Sequence, residues 1–290
     1  KCVVNVENHR NGQDRYLAVA FPSRVYSKGT FCIPTSIGVS ENMLVFGEEA
    51  DELPEDHVIR SIKMAIPCVD IAWGDYESPF TTASQPGYFR ILDYSFSALD
   101  IATLYLGNII RHVKTQLKRY LPAEAHVQVF LNLAAPLNQL APMLRNRAHD
   151  SLTIEDGSRD GVISDRYITL GQQCLHMSDL SQDQWVLQDA VTALREIKRK
   201  GLLPFEESPT YVVPETLAAI ASYIKRPGTQ SGRFMTLDVG AGSTDVSVFW
   251  LEKHGSTPKP WYYSSVSLHI GMDAIDRSLR HVTQKYNGVS

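Results

Sequence analysis

Two aspartates bracket a short glycine-rich stretch in the C-terminal part of the chain. Residues 238–245 read Asp-Val-Gly-Ala-Gly-Ser-Thr-Asp. Gly240 and Gly242 have no Cβ, so the main-chain N–H groups around them can approach a bulky anion such as phosphate. Asp238 and Asp245 would repel bare phosphate, which implies that a cation or a polarised water lies between them. The stretch therefore predicts a site for magnesium-bound phosphate.

A purely structural hairpin is the alternative explanation of the same residues. The flanking runs 235–239 and 246–250 are rich in β-branched and aromatic residues, which is typical of strands. Glycine and aspartate are common in the tight turns that join such strands. The loop by itself does not separate the two interpretations. Both predict a strand, a loop and a returning strand.

Length and composition indicate a globular protein with room for two domains. The chain has 290 residues, of which 43% are hydrophobic and 21% charged, enough to bury a large core. No apolar run approaches the ~20 residues of a membrane helix, so we expect no membrane partner. The net charge of −4 makes a nucleic-acid partner unexpected. The cysteines lack C-x-x-C spacing, which favours a reducing, cytoplasmic location.

Helical and strand-like segments alternate along the chain. Ser97 to Asp100 is typical of a capping box, and it begins a helix that the pattern extends to Leu121, before Pro122. Residues 127–133 are strand-like. A second helix has one apolar face and ends before a glycine; that face comprises Leu187, Val191, Leu194 and Ile197, and the glycine is Gly201. The alternation predicts an α/β fold.

A further acid lies where a predicted strand runs into a predicted helix. Apolar residues 211–213 precede Glu215, and the alanine-rich helix behind it stops at Pro227-Gly228. An acid in the first turn of a helix is favoured by the helix dipole, which explains Glu215 structurally. Near Asp238 and Asp245, Glu215 would instead be a third oxygen donor that faces the metal or the attacking water.

Three short motifs follow one another in the second half of the chain. They are Pro-Glu-Thr-x-Ala-Ala at 214–219, Asp-x-Gly-x-Gly-Ser-Thr-Asp at 238–245 and Gly-Met-Asp-x-x-Asp at 271–276. Their order and spacing resemble the actin, sugar-kinase and DnaK-type heat-shock chaperone superfamily. Phe-Pro-Ser at 21–23 with Phe-Gly-Glu-Glu-Ala at 46–50 looks like the opening of the chaperone ATPase domain. The Pro-Glu pair is also similar to plasmid-segregation actin-like proteins.

This resemblance implies an RNase H-like α/β fold with two lobes and a nucleotide cleft, the second lobe being incomplete. Residues 1–228 would form the first lobe, with an inserted subdomain in about 20–95, and residues 229–290 would begin the second lobe. The cofactors would be ATP or ADP and Mg²⁺, and closure of the lobes would be the functional switch. The alternatives are an actin-like protein that self-associates into filaments and a non-hydrolysing module that binds a protein partner.

The roles of the individual site residues follow from the same resemblance. Asp238 would hold Mg²⁺ through water, and Glu215 and Asp245 would orient the attacking water. Lys63 would neutralise the γ-phosphate. The residues expected to contact the nucleotide are Gly240, Ala241, Gly242, Ser243, Thr244 and Gly271. Phosphoryl transfer depends mainly on positioning and charge stabilisation, which these residue types supply.

The chain departs from the superfamily pattern in two places. The superfamily begins with a strand that carries an Asp-x-Gly-Thr phosphate loop, and residues 1–6 instead resemble the strand after it. The chain also stops at Ser290, where the superfamily continues toward its adenosine-binding glycines. We therefore expect an internal portion of a larger ATPase, which by itself binds nucleotide weakly or not at all.

Overall fold

The computed structural model describes the chain in segments, which together form a mixed α/β protein with several small sheets. The described residues are 3–6, 15–23, 29, 33–60, 62, 88–121, 129–135, 160–180, 185–201, 203, 207–215, 220, 229–240, 244–254, 257–268 and 271–272. No helix within these segments is long and apolar enough to cross a membrane.

The chain divides into two compact units, each made of two separate segments. The first unit contains residues 1–129 and 169–207, and the second contains 130–168 and 208–290. Residues 131–135 pair with residues 210–214 in one sheet, which joins the two segments of the second unit. The predicted boundary between two lobes at residue 228 does not coincide with the boundaries of these units, and it stays a prediction.

The strands of the first unit form small antiparallel sheets. They are β1 (Val3–Val6), β2 (Arg15–Ala18), β3 (Ile37–Ser40), β4 (Met43–Phe46), β5 (Val58–Ile59), β6 (Tyr88–Ile91) and β7 (Tyr94–Ser97). The sheet orders are β1-β2, β4-β3-β5 and β6-β7. A short 3₁₀ helix, Glu55–His57, precedes β5. Gly38 of β3 has no room for a Cβ, which would lie 2.7 Å from the carbonyl oxygen of His57.

Helices are also present among the described residues of the first unit. They are α1 (Glu48–Asp51), α2 (Ala98–Leu117), the part of α3 (Asp160–Ser178) from Thr169 onward, and α4 (Leu187–Lys200). The capping box at the start of α2 is confirmed, because Ser97 and Asp100 each bond the backbone N–H of the other. The apolar face predicted for α4 is confirmed as buried, and Gly201 ends the helix at φ 76°.

Close packing of α2 against α3 forms a large part of this core. Gly107 allows the approach, since a Cβ at that position would lie 2.8 Å from Cβ of Met177. The Thr103 hydroxyl donates to Oε1 of Gln173 at 3.1 Å, and Nζ of Lys114 donates to Oγ of Ser178 at 2.8 Å. Both polar contacts therefore reinforce an apolar interface.

The second unit contains a parallel strand pair and a three-stranded antiparallel sheet. Strands β8 (Leu131–Ala135) and β9 (Thr210–Pro214) are parallel. Strands β10 (Gly232–Val239), β11 (Thr244–His254) and β12 (Thr257–Leu268) follow one another in sheet order. The strand predicted at 127–133 is thus observed at 131–135, later along the chain.

Candidate functional site

The hairpin of β10 and β11 carries the two aspartates that the sequence singled out. In its antiparallel register Asp238 lies directly opposite Asp245, and Val239 lies opposite Thr244. The predicted strand and returning strand are therefore confirmed. Because directly paired residues share a face of a sheet, both carboxylates project from the same side. Ala241, Gly242 and Ser243 of the loop lie outside the described residues.

Three rows of side chains run across this face of the sheet. The acid row next to the loop consists of Asp238 and Asp245; the hydroxyl row consists of Thr236, Ser247 and Ser265; the aromatic row consists of Phe234, Phe249 and Tyr262. Successive rows lie two residues apart along β10, which is the repeat of one strand face. The face therefore changes from apolar to hydroxyl to carboxylate as it approaches the loop.

The aromatic row anchors this face in the core of the second unit. Phe249 stacks on Phe234 with a centroid separation of 5.8 Å and contacts Tyr262 at 5.5 Å. Ile220, from the segment that follows β9, packs against the same cluster. A register shift between Val248 and Phe249 keeps Tyr262 opposite Phe249. The bulge thus continues the row onto the third strand.

The hydroxyl row connects the three strands just behind the acids. Ser247 is fully buried, and its Oγ lies 2.9 Å from Oγ of Ser265. The Thr236 hydroxyl donates to the carbonyl oxygen of Ser247 at 3.5 Å. The sequence interpretation missed this row, although a signal was present. Thr236 lies two residues before Asp238, and Ser247 lies two residues after Asp245. Residues two apart in a strand point to the same face of the sheet.

The electrostatics of the acid row suit a bound cation. Side chains of directly opposed residues have Cβ atoms about 4.5–5.5 Å apart, and like charges in such positions destabilise a sheet. Asp238 and Asp245 are both half-buried, which reduces screening by water. Carboxylate oxygens and bridging waters are the ligands that Mg²⁺ prefers. The donor set therefore fits a hydrated divalent cation.

Two of the predicted nucleotide contacts meet at the loop end of the sheet. The backbone N–H of Met272 donates to the carbonyl oxygen of Gly240 at 3.0 Å. Gly271, directly before Met272, is buried. The chain segment after β12 therefore returns to the end of β10, beside the first glycine of the loop.

Thr244 differs from the other predicted site residues that the structure describes. It pairs with Val239 and Leu268, in a row next to the acid row. Neighbouring residues of a strand point to opposite faces, so the side chain of Thr244 leaves the sheet on the side away from Asp245. The hydroxyl predicted to contact the nucleotide is thus not part of the acid row.

Glu215 directly follows β9, as the strand-to-helix prediction required. Residue 215 is helical, and Oε2 of its carboxylate is buried. Within the described part of the chain, no three His, Cys, Asp or Glu side chains are grouped so that they could hold a metal ion. Glu215, Asp238 and Asp245 therefore do not form a direct three-carboxylate metal site. Lys63 lies outside the described residues.

Comparison with known proteins leaves the geometry as the basis for function. No protein-family model matches the chain, and no curated protein sequence matches it either.

Proposed function

We propose that the chain is the nucleotide-binding part of a DnaK-like or actin-like ATPase with the two-lobed RNase H-like fold, and that by itself it binds Mg-ATP weakly at the loop between β10 and β11. The observation that carries the proposal is the direct pairing of Asp238 with Asp245 at the loop end of the sheet. A glycine-rich loop between two opposed carboxylates is suited to phosphate together with a cation.

Some residues of the chain would bind Mg²⁺ and phosphate, and others would position the attacking water. Asp238 and Asp245 would hold hydrated Mg²⁺ through intervening water, and backbone N–H groups of 240–243 would bind phosphate oxygens. Bound Mg²⁺ supplies positive charge to the phosphate oxygens during phosphoryl transfer. Glu215 would accept a hydrogen bond from the attacking water, with Asp245 orienting it. Lys63 would neutralise the γ-phosphate.

The buried hydroxyl row would keep the acid row in place. The contact between Ser247 and Ser265 fixes the second and third strands relative to each other two residues from Asp245. The backbone bond from Met272 to Gly240 restrains the beginning of the loop. Preorganised donors and acceptors of this kind lower the reorganisation cost of binding a charged ligand. Nucleotide-dependent lobe closure would then act as the switch.

The proposal is tested with manganese as a spectroscopic substitute for magnesium. Electron paramagnetic resonance measures free Mn²⁺, so titration in the presence of ATP up to the millimolar range gives the affinity even of a weak site. We expect Asp238→Asn and Asp245→Asn each to weaken Mn-ATP binding by about 10- to 100-fold, as loss of metal-supporting groups typically does. Asp93→Asn, in an exposed turn of the first unit, is the matched control and should bind normally.

Two results would contradict the ATPase proposal. If the wild type and both acid-row variants had equal Mn-ATP affinity, the nucleotide would bind at a different place in the chain. Absence of binding at millimolar nucleotide would favour the non-hydrolysing interaction module. Light scattering that rises only with Mg-ATP would instead favour the filament-forming alternative.

A further inference from the structure

The face of the β10–β12 sheet opposite the acid row is apolar and exposed to solvent. Six large apolar side chains on it are between 42% and 68% exposed, namely Met235, Leu237, Val239, Trp261, Val266 and Leu268. These six residues are called the apolar sheet face below. Contiguous apolar patches of more than a few hundred Å² are uncommon on monomeric proteins and mark interaction sites. The apolar sheet face is therefore a candidate docking surface.

The register of the three strands makes this face complementary to itself. Two rows across the sheet have an aliphatic side chain at each end, namely Leu237, Val246 and Val266 in one row and Val239, Thr244 and Leu268 in the other. A second copy that is turned by half a rotation about the direction of β11 would place its β12 over β10 of the first copy. Leu237 then faces Val266 of the second copy, and Val239 faces Leu268 of the second copy.

The end of the face far from the loop carries charges that also complement each other under this half rotation. Arg233 is exposed and shares a row with Trp250 and Trp261, so its guanidinium would lie over Trp261 of the second copy. That indole already holds one cation, because Nζ of Lys259 lies 4.2 Å from its ring centroid. Its Nε1 donates to Oε2 of Glu252 at 3.0 Å. Arg233 would thus meet an aromatic ring with a carboxylate beside it.

The area of the apolar sheet face is sufficient for a weak dimer. Its six partly exposed side chains present roughly 350 Å² of apolar surface in each copy. Because about two thirds of a homodimer interface is apolar, two copies would bury about 1,000 Å² in total. This value lies at the lower limit for a specific interface, so the association should depend on protein concentration.

We infer that two copies of this chain associate through the apolar sheet face, with a two-fold axis parallel to β11. The two sheets stack in the aligned manner, about 10 Å apart. A two-fold interface uses the same patch twice, as the reversed rows require. Val246, in the middle strand, then lies next to Val246 of the second copy. The acid row is on the other face of each sheet, so the dimer forms without nucleotide, unlike a nucleotide-dependent filament.

Sedimentation equilibrium of the full chain without nucleotide, over a wide range of protein concentration, tests the association. We expect a monomer–dimer equilibrium. Leu237→Asp places a charge in the buried centre of the interface and should raise the dissociation constant by at least about tenfold. Leu203→Asp is the matched control, because Leu203 is a leucine of the first unit that is 47% exposed. It should leave the dissociation constant unchanged.

Three results of this measurement would overturn the inference. A monomer at every concentration would mean that a different partner, or none, occupies the face. A dimer that Leu237→Asp does not weaken would be held together by another surface. Equal weakening by Leu237→Asp and Leu203→Asp would mean that the substitutions act through folding, which circular dichroism of each variant checks.

Crosslinking tests the two-fold arrangement without placing a charge in the interface. Cys2, Cys32 and Cys68 are replaced by serine, and buried Cys174 is kept because burial raises the pKa of its thiol and makes it unreactive. A single cysteine is then introduced by Val246→Cys, or by Val239→Cys as the control. Each variant is treated with a short bifunctional maleimide, and the covalent dimer is measured by denaturing electrophoresis.

We expect several-fold more covalent dimer from Val246→Cys than from Val239→Cys. Position 246 lies close to the two-fold axis, whereas position 239 is on β10, at the edge of the three-stranded sheet, and its counterpart is on the opposite edge. Equal yields from the two variants would overturn the arrangement about β11. A higher yield from Val239→Cys would overturn it as well, because β10 of one copy would then lie over β10 of the other.

Discussion

Helix α2 of the first unit and strand β10 of the second unit use apolar side chains in different ways. In α2 the side chains of Ile101 and Leu104 are fully buried. In β10 Met235 and Leu237 are 68% and 61% exposed. The helix is thus stabilised by contacts that are already complete. The β10–β12 sheet instead presents half-buried carboxylates on one face and exposed apolar side chains on the other.

The largest expected difference is in the free energy of unfolding lost when a leucine is truncated to alanine in each of the two regions. Leu104→Ala removes a fully buried side chain, so we expect it to lower the free energy of unfolding by about 2–5 kcal/mol. Leu237→Ala should cost at most about 1 kcal/mol, because that side chain is 61% exposed and loses little burial. Chemical denaturation followed by circular dichroism measures both values.

A matched substitution on the exposed side of α2 controls for helix propensity. Thr115 is exposed and lies on the same helix, so Thr115→Ala should change stability by no more than about 0.5 kcal/mol. If Leu237→Ala proved as costly as Leu104→Ala, the contrast between the two regions would be wrong.

The next largest effect is a loss of stability at alkaline pH. Burial, and secondarily the carboxylate of Asp51, raises the pKa of Tyr105, whose hydroxyl donates to the carbonyl oxygen of Pro34 at 2.9 Å. An unfolded tyrosine ionises near pH 10 while folded Tyr105 stays protonated. Stability from this group is therefore complete below pH ~10 and is lost as the pH rises above it, by up to about 1.4 kcal/mol per pH unit.

Comparison of two Tyr→Phe variants isolates this contribution. Tyr105→Phe should flatten the decline in unfolding free energy above pH ~10, whereas Tyr211→Phe, at an exposed position of β9, should leave it unchanged. The pKa of Cys174 is also raised by burial, and it adds a decline that begins near pH ~8.5. Because both variants retain Cys174, its contribution to the decline is the same in both and cancels when they are compared. Identical slopes for the two variants would mean that Tyr105 ionises as readily in the folded state.

Local patterns in the sequence were sufficient to predict the hairpin and the start of α2. Runs rich in β-branched and aromatic residues on either side of the glycine-rich turn predicted the hairpin of β10 and β11, and Ser97 with Asp100 predicted the capping box. Each feature depends on residues close together in sequence. The end of α2 was predicted at Leu121 but lies at Leu117. Backbone bonds from Arg119 and Tyr120 to carbonyls three residues back tighten the last turn.

Helix α3 was not predicted, because part of its buried surface is polar. Gln172 exchanges hydrogen bonds with the backbone of Leu203, and Gln173 accepts one from Thr103. Both glutamines are buried, so the apolar stripe that identifies an amphipathic helix is interrupted. The position of Glu215 relative to the acid row was equally inaccessible, since it depends on packing between separate elements.

Removal of one hydroxyl from each region should produce equal losses of stability but different effects on binding. Ser97→Ala removes the N-cap bond of α2, and Ser247→Ala removes the buried contact with Ser265. Each should cost about 1 kcal/mol. Only Ser247→Ala should weaken Mn-ATP binding, because Ser247 lies in the row behind the acids. Weakened binding in Ser97→Ala would show that the electron paramagnetic resonance measurement reports stability rather than the site.

The smallest expected effect is a gain in stability at the tip of the β6–β7 hairpin. Leu92 has φ 54°, and the left-handed conformation costs a branched side chain roughly 1–2 kcal/mol. At the tip of the β3–β4 hairpin Asn42 has φ 66°, and asparagine tolerates that conformation.

Leu92→Asn should therefore raise the unfolding free energy by up to about 1 kcal/mol, with the hydrogen bond from Nε of Arg90 to the carbonyl oxygen of residue 92 retained. Leu92→Ala keeps the unfavourable φ and should give no such gain, and Asn42→Leu should lose a similar amount. The gain should be confined to the first unit's stability, with Mn-ATP affinity unchanged. A stabilised variant that also bound Mn-ATP more tightly would mean that the stability of the first unit and nucleotide binding at the acid row are energetically coupled.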